Sequence, residues 1–385
     1  MNRKKIIIFT MLTFTMLGIC GYSKANEQPA DKETETEKGI EINAENFPSE
    51  YVRELVSESF DSNNDNQLSQ NEIDAVTELW IDPDDTYTYM DGLDNSNYKY
   101  SVIDCKGLEI FRNVKKLWIC AETVEHNDEK IKKYGLLNFE NLYALKKVED
   151  LYISGEKYEA RYELNQFPNL KKVKFAYIKN LKQLEFGDNS RIEQINLVSV
   201  YGNYKLDLSK TKQLKKFRAR GLNCNGIKFG KNDNLRKIYM EEMGKGIKNI
   251  DVSKLSNLKT LDLNYSKYLK NINVKQVKNL YLYKCKRIKK LDISKCNKVK
   301  RVIVISTGIN NVCISEKLKI NDLCISFNKI KDIDLTNMKI QSLSLQGNPI
   351  KNIDLTQVKK IDEISIDKSQ NIKTRANQDI KIIRW

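Results

Sequence analysis

The sequence predicts a β-rich solenoid, one short coil repeated along an axis. Three observations carry that expectation. An apolar-x-x-apolar-x-apolar unit recurs twelve times in one phase, and after the first interval successive copies begin 19–23 residues apart. A second apolar pair follows each unit by 10–12 residues, alternating and rich in β-branched side chains, as in Leu206-Asp207-Leu208-Ser209 or Ile353-Asp354-Leu355-Thr356. Coils this short leave no room for a long helix, so each must bury its apolar face against its neighbours.

The chain begins with a segment unlike the rest. Arg3, Lys4 and Lys5 precede an apolar run from Ile6 to Ile19, and Ser23-Lys24-Ala25 supplies small residues at a cleavage site. The run is short for a membrane span, so residues 1–25 are expected to be a secretory signal peptide. A membrane anchor is the lesser alternative. Leu17-Gly18-Ile19-Cys20 resembles a lipobox, with Ile19 where a small residue is usual, so lipid attachment at Cys20 stays open. Export with no sorting sequence before Trp385 points to a secreted or loosely cell-associated protein.

Charge divides the chain further. Residues 26–100 hold 20 acids and 4 bases, while the whole chain carries +15, so the remainder is strongly basic. Residues 26–45 lack apolar periodicity and read as an acidic flexible linker. Residues 46–75 read as a small helical cap: Phe47-Pro48-Ser49-Glu50 opens a helix, and Tyr51, Leu55, Val56 and Phe60 share one face. The following twelve residues, DSNNDNQLSQNE, have EF-hand spacing. Asp61, Asn63 and Asp65 offer side-chain oxygens at positions 1, 3 and 5, Gln67 its carbonyl at 7, Ser69 a water-mediated contact at 9, and Glu72 a bidentate carboxylate at 12. Asn66 stands where glycine usually makes the turn, and asparagine tolerates the left-handed conformation it needs. Calcium is the expected cofactor, in a structural role.

The array occupies residues 76–385. It opens with Val76-Leu79-Ile81 and runs through Val114-Leu117-Ile119 and its successors to Ile361-Ile364-Ile366. Two insertions interrupt it: a tyrosine-bearing stretch at 86–101, and a segment holding the only histidine, His126. The unit resembles the leucine-rich repeat, L-x-x-L-x-L-x-x-N/C-x-L, over roughly three quarters of the chain. Asn328, Asn348 and Cys285 take the N/C position, which elsewhere drifts to Thr307 or Met243. Together with the acidic helical cap, the pattern resembles secreted, internalin-like proteins of Gram-positive bacteria. That resemblance implies attachment and protein recognition, not catalysis.

Residues between the core positions of each strand point outward. Exposed aromatics and arginines are typical binding hot spots, which singles out Trp118, Tyr152, Lys174, Arg218, Arg220, Tyr239, Tyr281 and Tyr283 as the ligand-binding face. A protein or glycan ligand, a host-surface molecule among the candidates, is expected there. The other reading is a structural protein whose basic solenoid clings to anionic cell-wall polymer. Lysines such as Lys331, Lys351 and Lys373 fall in turns, not along one groove, and arginine, the usual reader of bases, is the minority cation, so nucleic acid is an unlikely partner. The seven cysteines after the signal show no CxxC pair and read as single buried thiols. One histidine excludes two-histidine metal motifs, and no neighbour activates it as a base, so an enzyme is not expected.

Overall fold

The computed structural model describes residues 39–82, 102–121, 135–155, 159–188, 190–376 and 378–385. The signal segment with Cys20, the linker up to residue 38, His126 and the stretch 86–101 lie outside the described residues.

The repeat unit becomes one strand of a continuous sheet. In most units the second and third apolar residues sit on the strand and face inward with the first just before it; in the units from Ile320, Ile340 and Ile361 the strand starts earlier and takes in the first. Val114, Leu117 and Ile119, like Ile340, Leu343 and Leu345, are buried. Among the described residues this main sheet has 14 strands, from Glu78–Ile81 at one edge to Lys381–Arg384 at the other. All of its pairings are parallel, because every coil returns through the opposite side before the next strand begins. Equivalent residues lie in register: Leu117 faces Leu151, which faces Val173. The last strand, Lys381–Arg384, was not legible as a repeat. Its inward positions are Ile382 and Arg384, with Asp379 where the first apolar residue would stand, so the apolar triplet is broken.

The opposite side is organised differently. Its short strands pair two by two: Leu206–Asp207 with Ile227–Lys228, Asn249–Asp251 with Asn271–Asn273, Lys290–Ile293 with Asn311–Ile314, and Asn352–Asp354 with Asn371–Lys373. The expected extended segment at residues 333–336 forms no ladder. Leu335 still packs inward, but Asp334 turns the chain by accepting the N–H of Thr336 at 2.9 Å. That turn recurs. Asp207, Asp251, Asp292 and Asp354 each accept the N–H two residues on, from Ser209, Ser253, Ser294 and Thr356. The aspartates that mark the far-side motif therefore end its extended segments.

A second recurrent feature closes each main strand. At ten successive coils the residue two places after the third core position is left-handed. Only Gly155, Gly221 and Gly347 are glycines there; Tyr177, Ser199, Glu242, Tyr265, Lys284, Ser306 and Phe327 are not. Non-glycine residues seldom adopt this conformation. Here the next coil imposes it: the N–H of Tyr177 donates to Val198 O, that of Tyr265 to Tyr283 O and that of Phe327 to Gln346 O, each at 2.8 Å. A Cβ built on Gly221 meets the Ser199 hydroxyl at 3.4 Å, ordinary contact, so the corner has room for a side chain and its cost is torsional.

Inside the corner, side-chain amides satisfy backbone groups that the turn would strand. Asn328 Nδ2 donates to Val304 O and Ser326 O, both at 2.9 Å, and its Oδ1 accepts the N–H of Thr307 at 3.0 Å. Asn348 donates to Ile325 O and Leu345 O and accepts from Ile330. Cys285 stands in with its thiol, which reaches Leu263 O at 3.3 Å. Gln370 extends the series by donating to Asn348 O at 3.2 Å. Asn232, wholly buried, does the same work on the far side, donating to Leu208 O and Thr211 O. Burial pushes the thiols of Cys285 and Cys296 up to about 11, and Cys105, Cys224, Cys285 and Cys296 are buried single thiols.

The N-terminal cap contains α1 (Glu50–Ser59) and α2 (Gln70–Ala75). Ser49 caps α1, and its inward face is Val52 and Val56, with Tyr51, Leu55 and Phe60 only partly covered. The cap closes the end of the solenoid core: Phe60 meets Phe111 at 5.1 Å, and the Tyr51 hydroxyl accepts the N–H of Asp82 at 2.8 Å. The packed chain starts before residue 46. Ile40–Glu41 pairs antiparallel with Gln67–Leu68, and Ile42 is buried, so the end of the expected linker belongs to the cap. One hydrophobic cluster runs from Ile42 to Ile366.

Two outcomes follow from this packing. Asn328→Ala strands two carbonyls and an N–H in the core, so thermal or denaturant unfolding should show a loss of about 1–3 kcal/mol. Hydrogen bonds from Ser294, Thr336 and Thr356 hold Asp292, Asp334 and Asp354 below the ordinary carboxylate value of 3.8. A lowered folded-state pKa stabilises above the unfolded value and loses that contribution as pH falls below it. Melting temperature should therefore drop on acidification below about pH 4, and a triple Asp→Asn variant, which keeps the acceptor oxygens, should show a shallower drop.

Candidate recognition surface

The main sheet projects its alternate side chains outward in vertical columns. The central column runs in register from Trp80 through Trp118, Tyr152, Lys174, Asn196, Arg218, Tyr239, Asp262 and Tyr281 to Ile303. Neighbours in such a column stand about 4.8 Å apart, close enough for rings to stack on one another. The predicted face residues consequently meet in groups.

The first group is the most compact. Trp80 and Trp118 stack at 4.4 Å between ring centroids with planes 17° apart, and Tyr152 meets Trp118 edge-on at 4.4 Å. Lys174 Nζ lies 4.3 Å from the Tyr152 ring centre and 5.8 Å from that of Trp118, a cation resting on the end of the stack. Trp118 Nε1 donates to Cys120 Sγ at 3.3 Å, and Lys116 pairs with Glu78 at 2.7 Å, fixing the rungs beneath. Trp80 is 51% exposed, so the stack is open at its outer end.

The second group holds Arg218 over Tyr239 at 5.7 Å, with Arg220 drawn to Glu242 at 3.3 Å and Glu241 at 3.8 Å. Arg220 is therefore an ion-paired residue at the sheet margin. Half-buried Asp262 separates Tyr239 from Tyr281, and its burial pushes the carboxyl up despite a hydrogen bond from Asn264. In the third group Tyr283 meets Tyr265 edge-on at 5.1 Å, and Lys284 Nζ lies 5.0 Å from both rings. Tyr281 stands in the neighbouring column, beside Ile303.

Sequence reasoning missed Trp80, Tyr265 and Lys284. Trp80 was readable: it is the central residue of the Val76-Leu79-Ile81 unit and holds the same register as Trp118. Tyr265 and Lys284 occupy left-handed corners, outside the strand pattern. One expectation about charge is corrected. Cations do align in one row: Lys215, Arg236, Lys259, Lys278 and Lys300 occupy the same position in five consecutive coils, just before the main strands. Each N–H after the first in this row donates to the preceding residue's carbonyl at 2.8–3.2 Å. Lys373, expected in a turn, lies in the strand Asn371–Lys373.

The acidic loop in the cap is tightly self-bonded. Asp61 accepts the N–H groups of Asp65 and Asn66 at 3.2 and 2.9 Å, Asn63 Oδ1 that of Asp65 at 3.0 Å, and Asp65 Oδ1 that of Gln67 at 2.8 Å. Asn66 takes the left-handed turn at φ 62°. Positions 1 to 7 thus curl their oxygens around one turn, as a calcium loop requires. Glu72 is engaged elsewhere. Its Oε1 accepts the N–H and hydroxyl of Ser62, and its Oε2 those of Ser69, in a capping box at the start of α2. The Ser62 hydroxyl, with the Ser69 bonds, brings the Glu72 carboxyl down to about 2. Among the described residues no three His, Cys, Asp or Glu side chains converge as a metal cage. Of the six expected donors, Asp61, Asn63, Asp65 and Gln67 lie along the one turn, while Ser69 and Glu72 are bonded to each other in the α2 capping box.

No family model matches the sequence, and no curated protein does. Among solved structures, an internalin (inlF) from Listeria monocytogenes aligns over 88% of this chain and 94% of its own, with 15% identity and a TM-score of 0.42. The functional domain of InlJ from the same species aligns over 86% of this chain and 82% of its own, with 14% identity and a TM-score of 0.30. A leucine-rich-repeat protein from Leptospira interrogans covers 64% of this chain and 87% of its own, at 15% identity and a TM-score of 0.24. The chain is a β-solenoid by its own strand pairing, and these likenesses are of architecture alone. Among the described residues no helix is long and apolar enough to cross a membrane.

Proposed function

We propose that this chain is an exported recognition protein that binds a protein or glycan ligand through the outward face of its main sheet. The observation that carries the reading is the Trp80–Trp118–Tyr152–Lys174 stack. Large rings held rigid by strand register lose little freedom on binding, and an open tryptophan beside a cation is the chemistry of an interface hot spot. The charged leader at Arg3, Lys4 and Lys5 and the apolar run after it support export.

Calcium is proposed to stabilise the cap through Asp61, Asn63, Asp65, the Gln67 carbonyl, Ser69 and Glu72. The ion would supply charge neutralisation to a loop of acids and tie α1 to α2. Because Glu72 already satisfies Ser62 and Ser69, binding has to displace those bonds, which favours weak affinity of the order of 10⁻⁴–10⁻³ M.

Quantitative pull-down from cell-surface extract checks the first part. Trp118→Ala with Tyr152→Ala should remove the captured species, a loss of tenfold or more, while the melting temperature stays within a few degrees of the parent. Capture undiminished by that pair rules out the stack as the binding site. For the cap, calorimetric titration with millimolar calcium should release or absorb heat and raise the melting temperature, and Asp61→Ala should abolish both. An absence of heat in the parent protein ends the calcium reading.

A further inference from the structure

The row of cations before the main strands does not belong to the aromatic stack, and its charge is not locally balanced. Along most of the sheet's leading edge, bases and acids alternate from coil to coil and pair. Lys116 meets Glu78 at 2.7 Å, Lys171 meets Glu149 at 2.8 Å, Lys172 meets Asp150 at 3.0 Å, and Lys381 meets Glu363 at 2.8 Å. In the middle coils the alternation stops. The pre-strand position reads Lys215, Arg236, Lys259, Lys278 and Lys300, joined rung to rung by backbone hydrogen bonds. The adjoining strand position reads Lys216, Lys237, Thr260, Asn279 and Arg301 in register. Acids engage only the two ends of this block, Glu193 at Lys215 and Asp322 at Arg301. Among the described residues, none of the six cations between them makes an ion pair.

Five like charges at successive rungs, about 4.8 Å apart, form a stripe close to 19 Å long. Placing them side by side raises the energy of the folded state, and a linear polyanion laid along the stripe relieves that repulsion at every rung. The surroundings narrow the chemistry. Lys278, Lys300 and Arg301 share a shallow recess with the amides of Asn279 and Asn321, and Thr260 adds a hydroxyl one rung away. Neutral amides and a hydroxyl between cations suit a ligand that carries hydroxyls between its anionic groups. No aromatic ring lines the recess, and the tyrosines on the strands of the stripe are engaged: Tyr239 by Arg218, Tyr281 by Arg301, and Tyr283 by Tyr265 and Lys284. A single-stranded nucleic acid would need free rings to stack its bases. Lysine, a point charge, dominates over the fork of arginine that reads bases.

We propose that this stripe is a second binding site, distinct from the aromatic stack, and that it takes a linear sulfated polysaccharide: sulfates on the lysines, sugar hydroxyls on Asn279, Asn321 and Thr260. It makes specific, at one place, the affinity for anionic polymer that the basic composition suggests.

Heparin is the probe. The full chain should bind it at about 0.15 M salt and release it as ionic strength rises. The triple variant Lys259→Gln/Lys278→Gln/Lys300→Gln should weaken binding at least tenfold. A control of equal net charge, Lys317→Gln/Lys331→Gln/Lys351→Gln, removes exposed lysines outside the stripe and should change affinity less than twofold. Circular dichroism of both variants should match the parent, since every substituted residue is exposed. Equal weakening by the two triples means diffuse charge attraction and overturns the site. So does full retention of binding by the stripe variant, or no binding by the parent. Tighter binding of polyphosphate or single-stranded DNA than of a heparin fragment with the same number of charges overturns the sulfated-sugar assignment. Trp118→Ala with Tyr152→Ala should leave heparin binding intact, so failure of the stripe and failure of the aromatic stack are read separately.

Discussion

Every feature of this molecule depends on the backbone ladder between coils. Parallel strands of one sheet hold equivalent residues in register from coil to coil, and the ladder continues past the strand ends. Before each strand, one carbonyl accepts N–H groups from the next coil; Lys115 O, for example, takes both Glu149 and Asp150. After ten of the strands the left-handed corner passes another N–H to the coil beyond. Backbone groups cannot be left unpaired in a packed interior, so each coil must copy the geometry of its neighbour. That demand is strong enough to hold Tyr177, Tyr265 and Phe327 in a conformation their side chains disfavour.

A ladder that fixes register also turns sequence into columns. What a residue meets on the surface is decided less by its chain neighbours than by the residue one coil away. Trp118 finds Trp80 and Tyr152 across intervals of 38 and 34 residues because the insertions between them leave the register untouched. The same logic makes some columns neutral and others charged. Where Glu149 stands between Lys115 and Lys171, charge cancels within a rung or two; where Arg236, Lys259 and Lys278 follow one another, it accumulates.

The main-sheet pattern was legible because burial repeats at a fixed phase. Leu117, Ile119 and their equivalents could be assigned inward, and Trp118 or Tyr239 outward, from alternation alone. What escaped lies where alternation ends. The left-handed corner has no compositional signature, since the ladder imposes it on glycine, tyrosine and glutamate alike. The far-side aspartates were visible in the sequence, but as members of extended segments; only the geometry shows Asp334 and its equivalents turning the chain. Asn232 and Gln370 escaped because a buried amide is chosen by which carbonyls need a donor, and that becomes known only once the coil is closed. The cation row keeps a fixed phase, one residue after the first apolar position of five consecutive units (Leu214, Leu235, Leu258, Val277 and Val299), but it stands before the strand and so outside the inward–outward alternation. In the cap, DSNNDNQLSQNE was readable as a loop with donor spacing, whereas the bonds of Glu72 to Ser62 and Ser69 follow from its place at the start of a helix.

Fixed rung spacing gives the surface a property that neither stack nor stripe has alone: it behaves as a ruler. Successive graduations differ in chemistry but not in interval, because the interval is set by hydrogen bonds and not by side chains. A ligand whose own repeat is commensurate with the rungs keeps step over many coils and gains from each added unit. One whose repeat drifts out of step loses contact after a few, and lengthening it brings nothing further. Periodicity is thereby sensed separately from charge or shape, and variation in coil length on the far side, from 19 to 23 residues, leaves the ruler unaltered.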